Sequence, residues 1–247
     1  KRGVAAVTVK GAPEEGGGTE LSCGHVIEAF VAAGDKVVCK ECVTEFKAAR
    51  QRAKAAMFGF PGGLGARSFI SFAAGYGVTL TEDDAKDIKA AWLEQWTEMS
   101  SYFTRINNML DRMVDHPILQ VRSGRVRGDN RYTSVCNTFF QGLTADGAKR
   151  ALFLVAWECY AVPTSPLHGS RPVILMHDEI IMESPEDKAP EAADRLAEVM
   201  VAAMSEFTPD VPSTAAAALM RRWYKGAEPV RDADGRLIPW EPKEEVA

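Results

Sequence analysis

The stretch that most constrains this chain is an apolar segment with charge at its centre, VILMHDEIIME at residues 173–183. Two short runs rich in branched apolar side chains flank His177, Asp178 and Glu179. Such runs, each too short for a helix of its own, read as the strands of a β-hairpin with the ionisable residues at or beside the turn. Both strands would anchor in a core while the turn lifts a carboxylate towards a ligand. The plain alternative is an ordinary charged turn. If Asp178 binds a divalent ion, a partner carboxylate is required, because one aspartate is a poor site for such an ion.

The remainder of the chain must supply that core. Its 247 residues suggest one large domain or two modest ones, and 46% hydrophobic residues can bury a sizeable interior. No run of about 18 apolar residues suggests a membrane span. The N-terminus lacks a signal-peptide layout and opens on Lys1 rather than methionine, as a processed or truncated polypeptide would. A net charge of −5 argues against a uniform coating for nucleic acid, but leaves room for local basic stripes. Arg50, Arg52 and Lys54 form one such cluster; Arg122, Arg125, Arg127 and Arg131 form another.

Along the chain, residues 1–20 are rich in Gly, Ala and Glu and read as a linker or a mobile end. Residues 44–60, TEFKAARQRAKAAMFGF, have strong helical composition, and Pro61-Gly62-Gly63 ends or kinks the helix. In 79–113, Thr81 and Asp84 suggest a capping box. A single long amphipathic stripe follows, through Ile88, Trp92, Trp96, Met99, Phe103, Ile106 and Leu110. A hairpin is expected at 118–128 around Ser123-Gly124, helices at 138–160 and 187–207, and a tight turn at Asp234-Gly235. Helices and hairpins mix without regular βαβ alternation, so the fold class is α+β.

Two further patterns carry possible chemistry. On the first helix Arg50, Lys54 and Phe58 are spaced by four and share one stripe. Two cations and an aromatic ring could hold a polyphosphate and stack on a nucleoside; a merely solvated basic helix is the competing reading. Asn137 and Gln141, in NTFFQG, carry amides able to contact base edges or sugars in a minor groove, or simply to cap a helix and face solvent.

In this order and spacing, R-x3-K-x3-F-G, N-x3-Q-G and H-D-E between apolar strands, the chain resembles the C-terminal half of a family A DNA polymerase, of the phage and bacterial polymerase-I-like type, over roughly residues 47–247. The resemblance implies fingers at 47–115 and the C-terminal part of a palm at 116–247. Arg50 and Lys54 match residues that grip the incoming triphosphate, with Lys54 also counted as catalytic. Phe58 matches the aromatic against the nucleotide's sugar and base, and Phe rather than Tyr there implies discrimination against dideoxynucleotides. Asn137, Gln141, His177 and Arg131 would contact DNA, Asp178 would bind a catalytic metal, and Glu179 would support it. The implied reaction is template-directed nucleotidyl transfer from dNTPs to a primer 3′-OH with two Mg2+ ions. The implied setting is the cytoplasm of a bacterium or phage-infected cell.

The pattern is broken in two places. The family usually places a tyrosine four residues after the Phe58 position, where this chain has Gly62. Its other catalytic aspartate, in a strand motif of the type D-x-S-x-x-E-L-R upstream of the fingers, has no match in residues 1–49, and the thumb is absent as well. The expected consequence is a split polymerase whose missing carboxylate and thumb come from a second chain. A fragment of a single-chain enzyme and a non-catalytic, polymerase-derived binding module are the alternatives.

Five cysteines, three of them clustered near the N-terminus, favour a metal site over a disulfide framework. Cys23-x-His25 followed by Cys39-x-x-Cys42 offers four soft ligands for structural Zn2+ in a small zinc-ribbon-like segment within residues 1–46. Three reduced thiols beside an unrelated histidine would be the simpler reading. Cys136 and Cys159, in apolar surroundings, are expected to be buried thiols.

Overall fold

The computed structural model describes residues 39–112, 117–128 and 131–242, with the two-residue strands β1 (Val7–Thr8), β2 (Thr19–Glu20), β3 (Val26–Ile27) and β4 (Lys36–Val37) before them. β1 pairs with β4 and β2 with β3, both antiparallel. Cys23 and His25 lie outside the described residues. The chain divides into two compact units, Lys1–Arg112 and Met113–Ala247, and is α+β throughout.

In the first unit, α1 (Lys40–Gly59) forms because its middle is nearly all Ala, Arg, Lys and Gln, which are strong helix formers. It stops where expected: Pro61 has no N–H to continue the ladder, Phe60 N–H closes the last turn on Ala56 O at 3.0 Å, and Gly63 takes φ +77°. Next come α2 (Ala66–Ala74), α3 (Glu82–Gln95) and α4 (Glu98–Arg112). The capping box is present at α3. Thr81 N–H donates to Asp84 Oδ2 at 2.9 Å and Asp84 N–H to Thr81 Oγ1 at 3.1 Å; the contacts from Thr81 hold the Asp84 carboxyl below its ordinary pKa.

The single long stripe expected over 79–113 is two helices, broken at Trp96. A straight helix through this region would run about 50 Å and carry Met99 and Phe103 away from the core. The break returns both to the cluster of Phe60, Phe69, Ala73, Ala85 and Trp92. Phe60 sits at its centre, fully buried, 4.2 Å from the Phe69 ring centroid and 5.5 Å from that of Trp92.

The second unit begins with the hairpin of β5 (Ile118–Leu119) and β6 (Val126–Arg127), turned at Gly124 with φ +69°. α5 (Tyr132–Asn137) runs through a five-residue π-helical segment, Thr138–Gly142, into α6 (Leu143–Ala161). The hairpin β7 (Arg171–Met176) and β8 (Glu179–Glu183), α7 (Ala189–Phe207), and the pair β9 (Val230–Arg231) and β10 (Leu237–Ile238) complete it. The core joins Ala151, Val155 and Cys159 of α6 to Ala192, Val199 and Ala203 of α7, with Ile180 of β8 and Leu167. Cys136 and Cys159 are buried as anticipated, and burial raises both thiol pKa values, which keeps them protonated and inert near neutral pH. Among the described residues no helix is long and apolar enough to cross a membrane.

Arg195 of α7 clasps Glu158 of α6 through Nε at 2.9 Å and Nη2 at 2.6 Å, and Ser165 Oγ donates to the same carboxylate at 2.6 Å. Arg195 first, then Ser165, hold the Glu158 carboxyl below its ordinary pKa of 4.5. A depressed carboxyl contributes stability that is complete above its unfolded pKa and lost as pH falls through the folded value. Glu158→Gln is therefore expected to lower stability at pH 7 by about 1 kcal/mol, roughly 2–4 °C in Tm. It should also make the fall in Tm below pH 4.5 shallower, measured by thermal melts from pH 7 to 3.

Candidate functional site

The buried side of α1 comprises Ala55, Ala56 and Gly59, so Arg50, Lys54 and Phe58 fall on its exposed side. Gly59 lies in close packing: a Cβ there would meet the Leu64, Phe72 and Phe69 side chains at 3.2–3.3 Å. The close approach of α2 also brings in Tyr76, which lies just past the end of that helix. The Lys54 ammonium stands 5.7 Å from the Tyr76 ring centroid, and the Phe58 ring lies near-parallel to it at 6.4 Å and 11°. Nothing in the sequence singles out Tyr76, because the contact joins residues about 20 positions apart and leaves no local periodicity. Position 62, where an aromatic would follow Phe58 by one helical turn, lies in the turn after the helix.

In the second unit, Asn137 and Gln141 line one open pocket of about 400 Å³ with Arg125, Arg127, Thr133 and Ser134. The pocket takes its shape from the π-helical segment, a rare wide turn that often marks functional positions. Arg127 Nη1 donates to Thr138 Oγ1 at 3.2 Å, and that buried hydroxyl donates to Ser134 O at 2.8 Å. Arg125 reaches back to α6, donating to Gly142 O at 2.9 Å with Nε 3.1 Å from Asp146 Oδ1. Gly142 makes room for it: a Cβ at that position would come within 2.9 Å of Arg125 Nη2.

The basic cluster at 122–131 is therefore heterogeneous. Arg122 is engaged with Phe207 O and Asp210, Arg125 with Asp146, and Arg127 with Thr138, whereas Arg131 is exposed at the start of α5.

The β7–β8 hairpin places His177 and Asp178 in the two-residue turn and Glu179 as the first residue of β8. Leu175 pairs with Ile180 and Met176 with Glu179. His177 adopts φ 57°, and it is the one positive-φ residue other than glycine among the described residues. Positive φ at the first turn position alone fits the type II′ class that suits hairpins, where glycine is the usual occupant. Asp178 is exposed. Glu179 is half-buried and accepts from Trp223 Nε1 at 3.3 Å, a support from the C-terminal region that sequence spacing does not reveal. Asp178 is thus the more available carboxylate for a ligand.

Among the described residues no three His, Cys, Asp or Glu side chains converge into a group that could hold a metal ion. Asp178 and Glu179 alone do not make a complete magnesium site. At the other end of the chain, Cys39 caps α1: its buried Sγ accepts from Cys42 N–H at 3.5 Å and donates to Glu41 Oε2 at 3.3 Å.

This is an α+β chain with a cation–aromatic helix face, an amide-lined basic pocket and a carboxylate-bearing hairpin turn. The model of DNA polymerase family A matches it over residues 29–225, and the chain belongs to that family. It is similar to DNA polymerase I of Aquifex aeolicus (strain VF5), 27% identical over 205 residues that cover 81% of this chain and 33% of that protein. The chain thus spans about a third of the length of this curated relative.

A non-glycine residue at φ 57° stores roughly 1 kcal/mol of backbone strain. His177→Gly is expected to raise the urea midpoint modestly, by up to about 1 kcal/mol in stability. Equilibrium unfolding followed by circular dichroism checks this, and a lowered midpoint would mean the imidazole stabilises the turn by more than its strain.

Proposed function

We propose that this chain carries the fingers, residues 47–115, and the C-terminal part of the palm, residues 116–247, of a DNA polymerase that extends a primer on a DNA template. Arg50 and Lys54 receive the triphosphate of an incoming dNTP, and Phe58 packs against its sugar and base. Asn137, Gln141 and Arg131 contact the primer–template, and His177 the primer end. Asp178 is the metal-binding carboxylate, with Glu179 supporting it from its bond to Trp223. The observation that carries this reading is an exposed aspartate on a strained turn anchored in the core through β8 alone, within a chain of this family. The expected anchoring of both strands fails for β7, whose Val173, Ile174, Leu175 and Met176 are exposed. Magnesium, when bound, would neutralise phosphate charge and lower the pKa of the primer 3′-OH.

We propose that a second aspartate and the thumb come from a companion polypeptide; a fragment of a single-chain polymerase is the alternative. The test is primer extension with Mg2+ and four dNTPs, using the chain alone and then with whatever co-purifies. Activity is expected only with the companion, and Asp178→Asn in that complex should reduce kcat by about 10³-fold. Extension by the isolated chain would sink the split arrangement. Silence in both assays would favour a polymerase-derived nucleic-acid-binding module.

The same reading gives the N-terminal segment a docking role, with Zn2+ held by Cys23, His25, Cys39 and Cys42. Cys39 and Cys42 lie one helical turn apart at the start of α1, with the Cys39 sulfur 3.5 Å from Cys42 N, a spacing suited to a zinc chelate. One zinc per chain is expected by atomic emission, lost together with partner binding in the Cys39→Ser/Cys42→Ser variant. Metal-free protein that still assembles would remove the idea.

A further inference from the structure

Tyr76 is the residue that the proposed reaction leaves without a role, yet its placement is tightly determined. It follows α2 in the turn Gly75-Tyr76-Gly77, where Tyr76 N–H donates to Ala73 O at 2.9 Å and Gly77 N–H to Ala74 O at 2.9 Å. Gly77 takes φ +73°, and Val78, buried in the core, secures the exit with its N–H 3.1 Å from Ala73 O. Phe72 meets the Tyr76 ring from the α2 side at 5.3 Å, and Phe58 meets it from α1 at 6.4 Å with only 11° between the ring planes. Two aromatic neighbours and a closed turn hold the ring, and Lys54 Nζ stands 5.7 Å from its centroid.

We propose that Tyr76 is a positioning residue of the nucleotide-binding face of α1, holding the Lys54 ammonium ready for a triphosphate. This inference rests on the nucleotide-binding reading of Arg50, Lys54 and Phe58. A lysine on an exposed helix surface samples many rotamers and loses that freedom when it grips a phosphate. An ammonium already drawn to an aromatic face has surrendered part of it beforehand, so less is lost on binding. The ring occupies one side of the ammonium and offers no acceptor from its face, so N–H donors on the other side stay available to phosphate oxygens. Phe58 and Phe72 act on Tyr76 itself, keeping its face turned to Lys54.

The test is calorimetric titration of the full chain with Mg2+-dATP, run on the wild type, Tyr76→Phe, Tyr76→Leu, Tyr76→Met, Lys54→Ala, Arg50→Ala and the double variant Lys54→Ala/Tyr76→Leu. The leucine and methionine variants keep apolar bulk and remove the ring, and melting curves establish which of them folds as the wild type does. Tyr76→Phe is expected to bind within two-fold of wild type, and the folded ringless variant roughly two- to five-fold more weakly. In the Lys54→Ala background the Tyr76→Leu substitution should have no further effect, a result that a purely structural role for Tyr76 would not give. Equal binding by the ringless variants and wild type, or the same penalty with and without Lys54, overturns the proposal while the nucleotide reading stands. Absence of wild-type binding, or binding indifferent to both Lys54→Ala and Arg50→Ala, overturns the nucleotide reading and this inference with it.

Discussion

A two-stranded hairpin is marginal in water, and the one that carries Asp178 is anchored through one face of β8, by Ile180 and Met182. Ile180, two residues past Asp178, is buried with Val155 and Cys159 of α6 and Val199 of α7. Its cross-strand neighbour Leu175 follows it onto the same face. The α6–α7 pair is the platform, and the Glu158–Arg195 clasp fixes the two helices to each other. The backbone positions at the tip are therefore set by packing in the helices, while the chemistry is left to side chains that the packing does not use.

The first unit solves the same problem with aromatic rings. Phe60 is locked between Phe69 and Trp92, one residue before the proline that ends α1. Burying Phe60 fixes the rotation of the helix about its axis, and rotation decides which residues point outward. Arg50, Lys54 and Phe58 reach solvent because Ala55, Ala56 and Gly59 are small enough to let α2 and α3 close on the opposite side. The Gly59 contact distances explain why a glycine follows Phe58 more directly than any demand for unusual backbone angles.

Much of this was legible in the amino-acid sequence because it is local. Pro61 ends a helix by lacking a donor, Thr81 and Asp84 cap one through a three-residue spacing, and a polar triplet between apolar runs turns a hairpin. The break at Trp96 was hidden because the apolar spacing runs through it without interruption; the reason for the break lies in the distant Phe60 cluster. Tyr76 and Trp223 were hidden for a related reason, since each is recruited across tertiary distance to a residue the motifs had already marked. The basic cluster at 122–131 looked uniform as text, yet the fold engages Arg122, Arg125 and Arg127 with the protein itself and leaves Arg131 exposed.

The wide turn at Thr138–Gly142 has a consequence for how such a motif can vary. A π-helical segment is an α-helix with one residue accommodated in the ladder, so deleting a residue there is geometrically easy and leaves ordinary α-helix. The wide turn absorbs the extra residue, so the deletion would leave the helices on either side in nearly the same rotation. α6 stays committed to the core through Ala151, Val155 and Cys159 either way. The change would fall on the turn itself, where Asn137 and Gln141 would stand three residues apart instead of four. In this protein the register between the two amides is thus held by a hydrogen-bonding pattern, and a chain one residue shorter could keep its fold, its charge and both amides while altering the surface they make together.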